Sequence, residues 1–294
     1  MPDSLLTISQ KKKIITSVQK ADYRQIVLIL ESVKTSHAGT AKTKDKHFVI
    51  TSIVKHITEK YNGEDKDTAR AKAFFTSGNC FFKMKEPVSK QISASLLWRA
   101  YQFNKKVVKA VLLQIADDDN WEVRETSGGA LANTLYYNRD FYSTLTKWAK
   151  HPSDKIRRAV VISSLGLLEK GKKENLPLAF SLLEPLLYDS AVYVKKNLGP
   201  FVFGSYFGNS FPEEVFIQLK KWLKIKDENV RWNIAMAFHN SFGNKYPDKA
   251  MEILTILAED NNPAVKKAVK SSVNFLAKRS KKFDEFAQNL DFYL

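Results

Sequence analysis

The sequence predicts an all-α protein, a solenoid (superhelix) of two-helix repeats, on three observations. Five segments resemble one another at a near-constant spacing, each follows an apolar stretch with helical character, and no alternating strand pattern is present. At 294 residues the chain also exceeds the size a single core usually fills, which suits either two domains or a repeat array.

The repeated unit is an acidic residue, a short gap, a β-branched residue, then basic residues. It reads DNWEVRE from Asp119, DKIRRAV from Asp154, DSAVYVKKN from Asp189, DENVRWN from Asp227 and DNNPAVKKA from Asp260. The β-branched anchors Val123, Ile156, Val194, Val230 and Val265 are separated by 33, 38, 36 and 35 residues. Upstream of each lies an apolar stretch, such as VVKAVLLQIA or AMEILTILA. A helix pair of this kind buries its apolar stripes only against neighbouring pairs, which is the logic of HEAT-like repeats.

Element by element, residues 1–87 read as a basic N-terminal helical cap with degenerate repeats. Helices are expected over 4–34, 48–61 and 66–76, and residues 35–47 read as an exposed basic loop. Residues 88–280 form the HEAT-like array, and 281–294 a C-terminal tail. FGNSFPEEV and FGNKYPDKA, from Phe207 and Phe242, read as helix end, turn and helix start. Glycine there is expected to close one helix in the left-handed conformation, and Pro212 or Pro247 to open the next. The repeat aspartates are placed to cap the second helix of each pair.

The formal net charge is +16, and it is lopsided: residues 1–116 carry +12 and residues 117–294 carry +4. Such a balance points to a polyanion, with nucleic acid ahead of a membrane surface, or simply to a lysine-rich soluble surface. The lone Cys80 excludes an intramolecular disulfide framework. No signal-peptide core and no uncharged run of membrane-spanning length occur, so a cytoplasmic or nucleoid-associated monomer is expected, without membrane attachment. Phosphate-loop, nucleophile-elbow and zincin motifs are missing, and His37, His47, His56, His151 and His239 lack ligand spacing. Neither a metal nor a cofactor is expected.

Three sets of residues are candidates for function. The basic residues after each anchor would line one face of a stack and meet phosphates. The first of each set, at Arg124, Arg157, Lys195, Arg231 and Lys266, can instead pair with a repeat aspartate in an inter-repeat ladder; Arg158, Lys196 and Lys267 are not needed for that and suit a partner's backbone. The second set is Trp121 with Glu125, one helical turn apart, which offers an indole for a cationic base and a carboxylate for developing positive charge on a sugar. A buried Trp and a surface Glu are the plainer alternative. The third is GPFVFGSYFG (199–208) with Trp232, where Phe201, Tyr206 and Trp232 form either an aromatic cleft or core packing. Its glycines, like Gly128 and Gly129, suggest a kink or a close helix crossing.

NWEVRE (120–125) followed by LTKWAKHPSDKIRRAVV (145–161) resembles the HEAT-like repeat alkylpurine DNA glycosylase (AlkC/AlkD) family. YVKKNLGPF (193–201) and DENVRWNIAMAF (227–238) resemble its later repeats, and the likeness covers roughly residues 88–280. The resemblance implies binding of double-stranded DNA and excision of cationic N3- or N7-alkylpurines. Glu125 would be the catalytic carboxylate, Trp121 the indole facing the lesion and Arg158 a backbone contact. One departure is that Pro200 and Phe201 stand where a second Trp is expected. A non-enzymatic HEAT scaffold for a protein partner or branched nucleic acid is the alternative.

Overall fold

The computed structural model describes residues 4–290 apart from Ser36, Ala38, Glu169 and Lys170, and without the side chains of Asn289 and Leu290. The described residues form seventeen α-helices, and the only β pairing among them is a single bridge between Lys34 and Ala41. The chain divides into two compact units, Met1–Tyr142 and Ser143–Leu294.

The first unit contains α1 (Ile8–Gln19), α2 (Tyr23–Ser32), α3 (Thr43–Lys60), α4 (Lys66–Met84), α5 (Pro87–Leu97), α6 (Lys105–Ala116) and α7 (Trp121–Tyr137). Helix α5 lies between α4 and α7, and α6 packs on α7. The position expected to divide cap from array, 87/88, falls at the start of α5, where α4 packs directly on it. The basic segment 35–47 is not an exposed loop throughout. Helix α3 begins at Thr43, and Thr40, Ala41, Asp45 and Lys46 are buried. The Asp45 carboxylate explains part of this, since it accepts from Ser4 Oγ at 2.5 Å and from the Leu5 amide at 3.2 Å.

The second unit contains most of α8 (Tyr142–Trp148), then α9 (Asp154–Ser163), α10 (Leu176–Leu183) and α11 (Val192–Asn197). A π-helical segment, Leu198–Gly208, follows directly. The unit ends with α12 (Pro212–Trp222), α13 (Glu228–Met236), α14 (Ser241–Lys245), α15 (Pro247–Ala258), α16 (Pro263–Ala277) and α17 (Lys281–Leu290). Residues 291–294 of the expected tail lie outside the described residues. Neighbouring pairs stack through α9 on α11, the π-helix on α13, and α13 on α16. Phe180, Phe203, Phe207 and Trp222 form one ring cluster of the core, and Phe216, Phe238 and Phe242 another.

All five repeat anchors are buried, so the periodicity of the sequence is the periodicity of the core. The repeat aspartates cap less often than expected: α9 starts with Asp154 already inside its first turn, and α11 starts after Ala191, neither with a side-chain cap. Asp227 caps α13 through the amides of Asn229 and Val230, but Asn120 and Asn262 cap α7 and α16. An aspartate two residues earlier braces the turn instead: Asp118, the neighbour of the repeat's Asp119, accepts from the Asn120 amide at 2.8 Å, Asp260 from the Asn262 amide at 2.7 Å and Asp189 from the Ala191 amide at 2.9 Å. Pro212 and Pro247 open their helices as expected.

The left-handed glycines are absent from both turns. Gly208 and Gly243 have ordinary φ, and their need is for space: a Cβ would lie 2.6 Å from the Phe242 ring in one case and 2.6 Å from the Phe238 carbonyl oxygen in the other. The π-helical segment meets the same demand. A Cβ on Gly199 would come within 2.7 Å of the Asn233 carbonyl oxygen, so the close helix crossing expected of this stretch is present.

Candidate functional site

Helix α7 is fixed at its start by the Asn120 cap and by Val123, which is wholly buried. With the anchor inward, positions two before and two after it turn outward. Trp121 is 43% exposed and Glu125 is exposed one turn later on the same face. Gly129 and Ala132 continue that face within an arc of roughly 80°. Nothing lies within 4 Å of where a Cβ on Gly129 would be, so this glycine has no packing reason. A mid-helix glycine costs about 1 kcal/mol relative to alanine. Beyond the carboxylate the helix backbone is therefore bare, and a ligand can approach it closely. Gly128, by contrast, is buried.

The edge of this face comes from the segment before α3. The His37 ring meets Trp121 edge to face, with centroids 5.2 Å apart. The segment is held to α7 through Glu122. Its carboxylate accepts from the Thr40 hydroxyl, from Lys46 Nζ at 2.9 Å and from Gln91 Nε2 at 3.5 Å. Burial disfavours the Glu122 anion, but the Thr40 and Lys46 hydrogen bonds and the Lys46 charge outweigh it and hold the carboxyl below its usual range. A cleft beside Glu122 is lined by His37, Lys42 and Lys44. Sequence reasoning missed His37 and the Lys46–Glu122 pair, because a buried lysine and a ring contact across more than eighty residues leave no periodic signal.

In the second unit the basic residues divide. Arg157 is a ladder rung: its Nε donates to Asp189 at 2.5 Å, and its Nη1 donates to the carbonyls of His151 and Pro152. Arg231 pairs with Asp260, and Lys195 donates to Asn229 at 2.8 Å while lying 4.5 Å from the Trp232 ring centroid. Arg158, expected to reach outward, is only 6% exposed; its guanidinium lies over Tyr193 and donates to Asn197 Oδ1 at 3.1 Å. Helix α9 is buried nearly all round, which leaves that side chain no open face. Lys196 and Lys267 are exposed as expected. Of the proposed aromatic cleft, Phe201 is exposed on the π-helix and Trp232 is half-buried beneath Lys195.

Placed in register, the five anchors expose a contrast. Two residues after them stand Glu125, Arg158, Lys196, Trp232 and Lys267. Only α7 carries an acid there, on a chain with net charge +16.

A family model described as DNA alkylation repair enzyme matches residues 48–202, just over half of the chain. The chain belongs to that family. The matched segment contains Trp121, Glu125, Arg157, Arg158, Lys196 and Phe201, whereas Arg231, Trp232 and Lys267 lie beyond it. No curated protein matches the chain. Among solved structures, a designed armadillo repeat protein is similar at 17% identity and TM-score 0.27, covering 76% of this chain and 99% of its own. A computationally designed armadillo repeat protein for modular peptide recognition matches at 15% identity and TM-score 0.30, covering 90% and 98%. An engineered protein matches at 14% identity and TM-score 0.32, covering 98% and 79%. Among the described residues no helix is long and apolar enough to cross a membrane, and no group of three or more His, Cys, Asp or Glu could hold a metal ion.

Proposed function

We propose that this member of the DNA alkylation repair family binds duplex DNA as a monomer and acts as a monofunctional glycosylase on cationic N3- or N7-alkylpurines. The observation that carries the reading is the exposed Trp121–Glu125 pair on α7, followed by a bare stretch of helix at Gly129. The indole face attracts a cationic base. As the bond between C1′ and the base nitrogen breaks, the base leaves neutral with the electron pair and positive charge develops on the sugar. The Glu125 carboxylate stabilises that charge and orients a water whose oxygen bonds to C1′ and whose proton passes to the carboxylate and then to solvent. The products are free base and an abasic site. Lys196 and Lys267 contribute charge toward phosphates.

Release of free methylpurine from methylated duplex tests this directly. E125Q is expected to lower base release at least about a hundredfold while leaving DNA affinity unchanged; full activity in E125Q overturns the assignment. The second reading, a scaffold that binds without reacting, draws on Arg157 and Arg231 being paired with carboxylates and on Pro200–Phe201 replacing the expected Trp. Salt-sensitive DNA binding without base release would favour it.

A further inference from the structure

Helix α7 ends in a second exposed ring. Tyr137 is 63% exposed, and it stacks on Trp98 with centroids 5.2 Å apart and planes 13° from parallel. The Arg99 guanidinium lies 4.1 Å from the Trp98 ring centroid. Burial lowers the Arg99 pKa to about 10, which leaves it charged at neutral pH. Sixteen residues of helix place Tyr137 about 24 Å along α7 from Trp121 and on nearly the opposite side, so this is a separate surface.

The stack is held in place from both sides. Gln102 Nε2 donates to Asn138 Oδ1 at 2.6 Å, joining the turn after Trp98 to the end of α7. Asp140, just beyond, accepts from Lys105 at 2.9 Å and from the Tyr101 hydroxyl at 3.3 Å. Two exposed cations adjoin these contacts: Lys106 follows Lys105, which holds Asp140, and Arg139 stands two residues after Tyr137.

A ring shielding Trp98 from water would be served as well by an aliphatic side chain. Tyr137 also meets Tyr136 edge to face, with centroids 4.7 Å apart, and a flat tyrosine pre-oriented by two rings yet 63% exposed suits the flat base of a nucleotide, with the cations beside it for the phosphate. We propose that Trp98 and Tyr137 form a stacking platform for an unpaired nucleobase of a DNA strand, with Lys106 and Arg139 beside its phosphates. The platform is distinct from the Trp121–Glu125 face and does not depend on base release.

The test is binding of a labelled oligothymidine of about ten nucleotides, and of a duplex of the same length, by fluorescence anisotropy at low salt. Wild type, Y137F, Y137L and Y137A are compared. Y137L and Y137A are expected to bind the single strand about tenfold more weakly, the loss of one stacked base. Y137F should stay within about twofold of wild type, and all four should bind the duplex alike. Y137L retains the apolar cover over Trp98, so single-strand binding equal to wild type in that variant overturns the proposal and leaves Tyr137 as a lid on the core. Single-strand and duplex affinity falling together would also overturn it. So would failure of the wild type to bind the single strand.

Discussion

The start of α7 and the starts of α9 and α13 are built from one motif and put to different uses. All three bury a β-branched anchor, at Val123, Ile156 and Val230. In α9 and α13 the flanking residues are drawn into the stack: Arg157 and Arg231 hold aspartates of the next repeat, Arg158 packs on Tyr193, and Trp232 lies under Lys195. In α7, Arg124 clasps the carbonyls of Asp118 and Asp119 as Arg157 clasps those of His151 and Pro152, and the difference lies in Trp121 and Glu125, which stay exposed. The buried anchor is what the three helix starts share. The flanking residues differ, packed into the stack in α9 and α13 and exposed in α7.

That contrast can be broken at the glycines. A Cβ at Gly204 would lie 2.1 Å from Asn240 Nδ2 and 2.3 Å from the Ala237 carbonyl oxygen, and the backbone cannot give way. G204A should therefore lower stability by about 3 kcal/mol in chemical denaturation. G129A faces open space and should raise stability by about 0.5–1 kcal/mol, while reducing base release if the bare face of α7 receives DNA. A destabilised G129A would show that the glycine has a structural reason after all.

The basic residues sharpen it further. Removing Arg157 strands Asp189, which is 7% exposed, so R157A is expected to cost about 2 kcal/mol and to couple with D189A in a double-mutant cycle. K196A should change stability by less than about 0.5 kcal/mol. Its effect belongs in the salt dependence of DNA binding, where the slope should fall by about 1. Equal stability losses in the two variants would erase the distinction between ladder and surface.

The smallest effect concerns pH. Glu122 titrates below its ordinary range, so the stability it contributes is present above the usual carboxylate pKa and is lost as pH falls through the lowered folded value. Acidification below about pH 4.5 should loosen the segment carrying His37 and alter Trp121 fluorescence. E122Q should flatten that transition; an unchanged acid limb would remove Glu122 as its cause.

The repeat array was legible in the sequence because its signal is periodic: anchors every 33 to 38 residues report a buried position however the flanks vary. Pro212 and Pro247 were legible because proline constrains its own backbone. The glycine turns were misread, since a glycine kept for close packing against Phe242 looks the same in sequence as one kept for a left-handed turn. The burial of Arg158 was also hidden, because α9 has the composition of a half-exposed helix while being enclosed nearly all round. Lys46, His37 and the Trp98–Tyr137 stack depend on contacts distant in sequence, which no local pattern encodes.

The segment bearing His37 is fastened to α7 through Thr40, Lys46 and Glu122, none of which is a repeat anchor. The strip around His37 is thus separable from the array in an evolutionary sense. Insertions, deletions and replacements between Thr35 and Thr40 can alter what faces the indole while the fastening and the core of the stack stay intact. Diversity of recognition among relatives should then concentrate in that short stretch, and a library varied there is the economical way to redirect the protein.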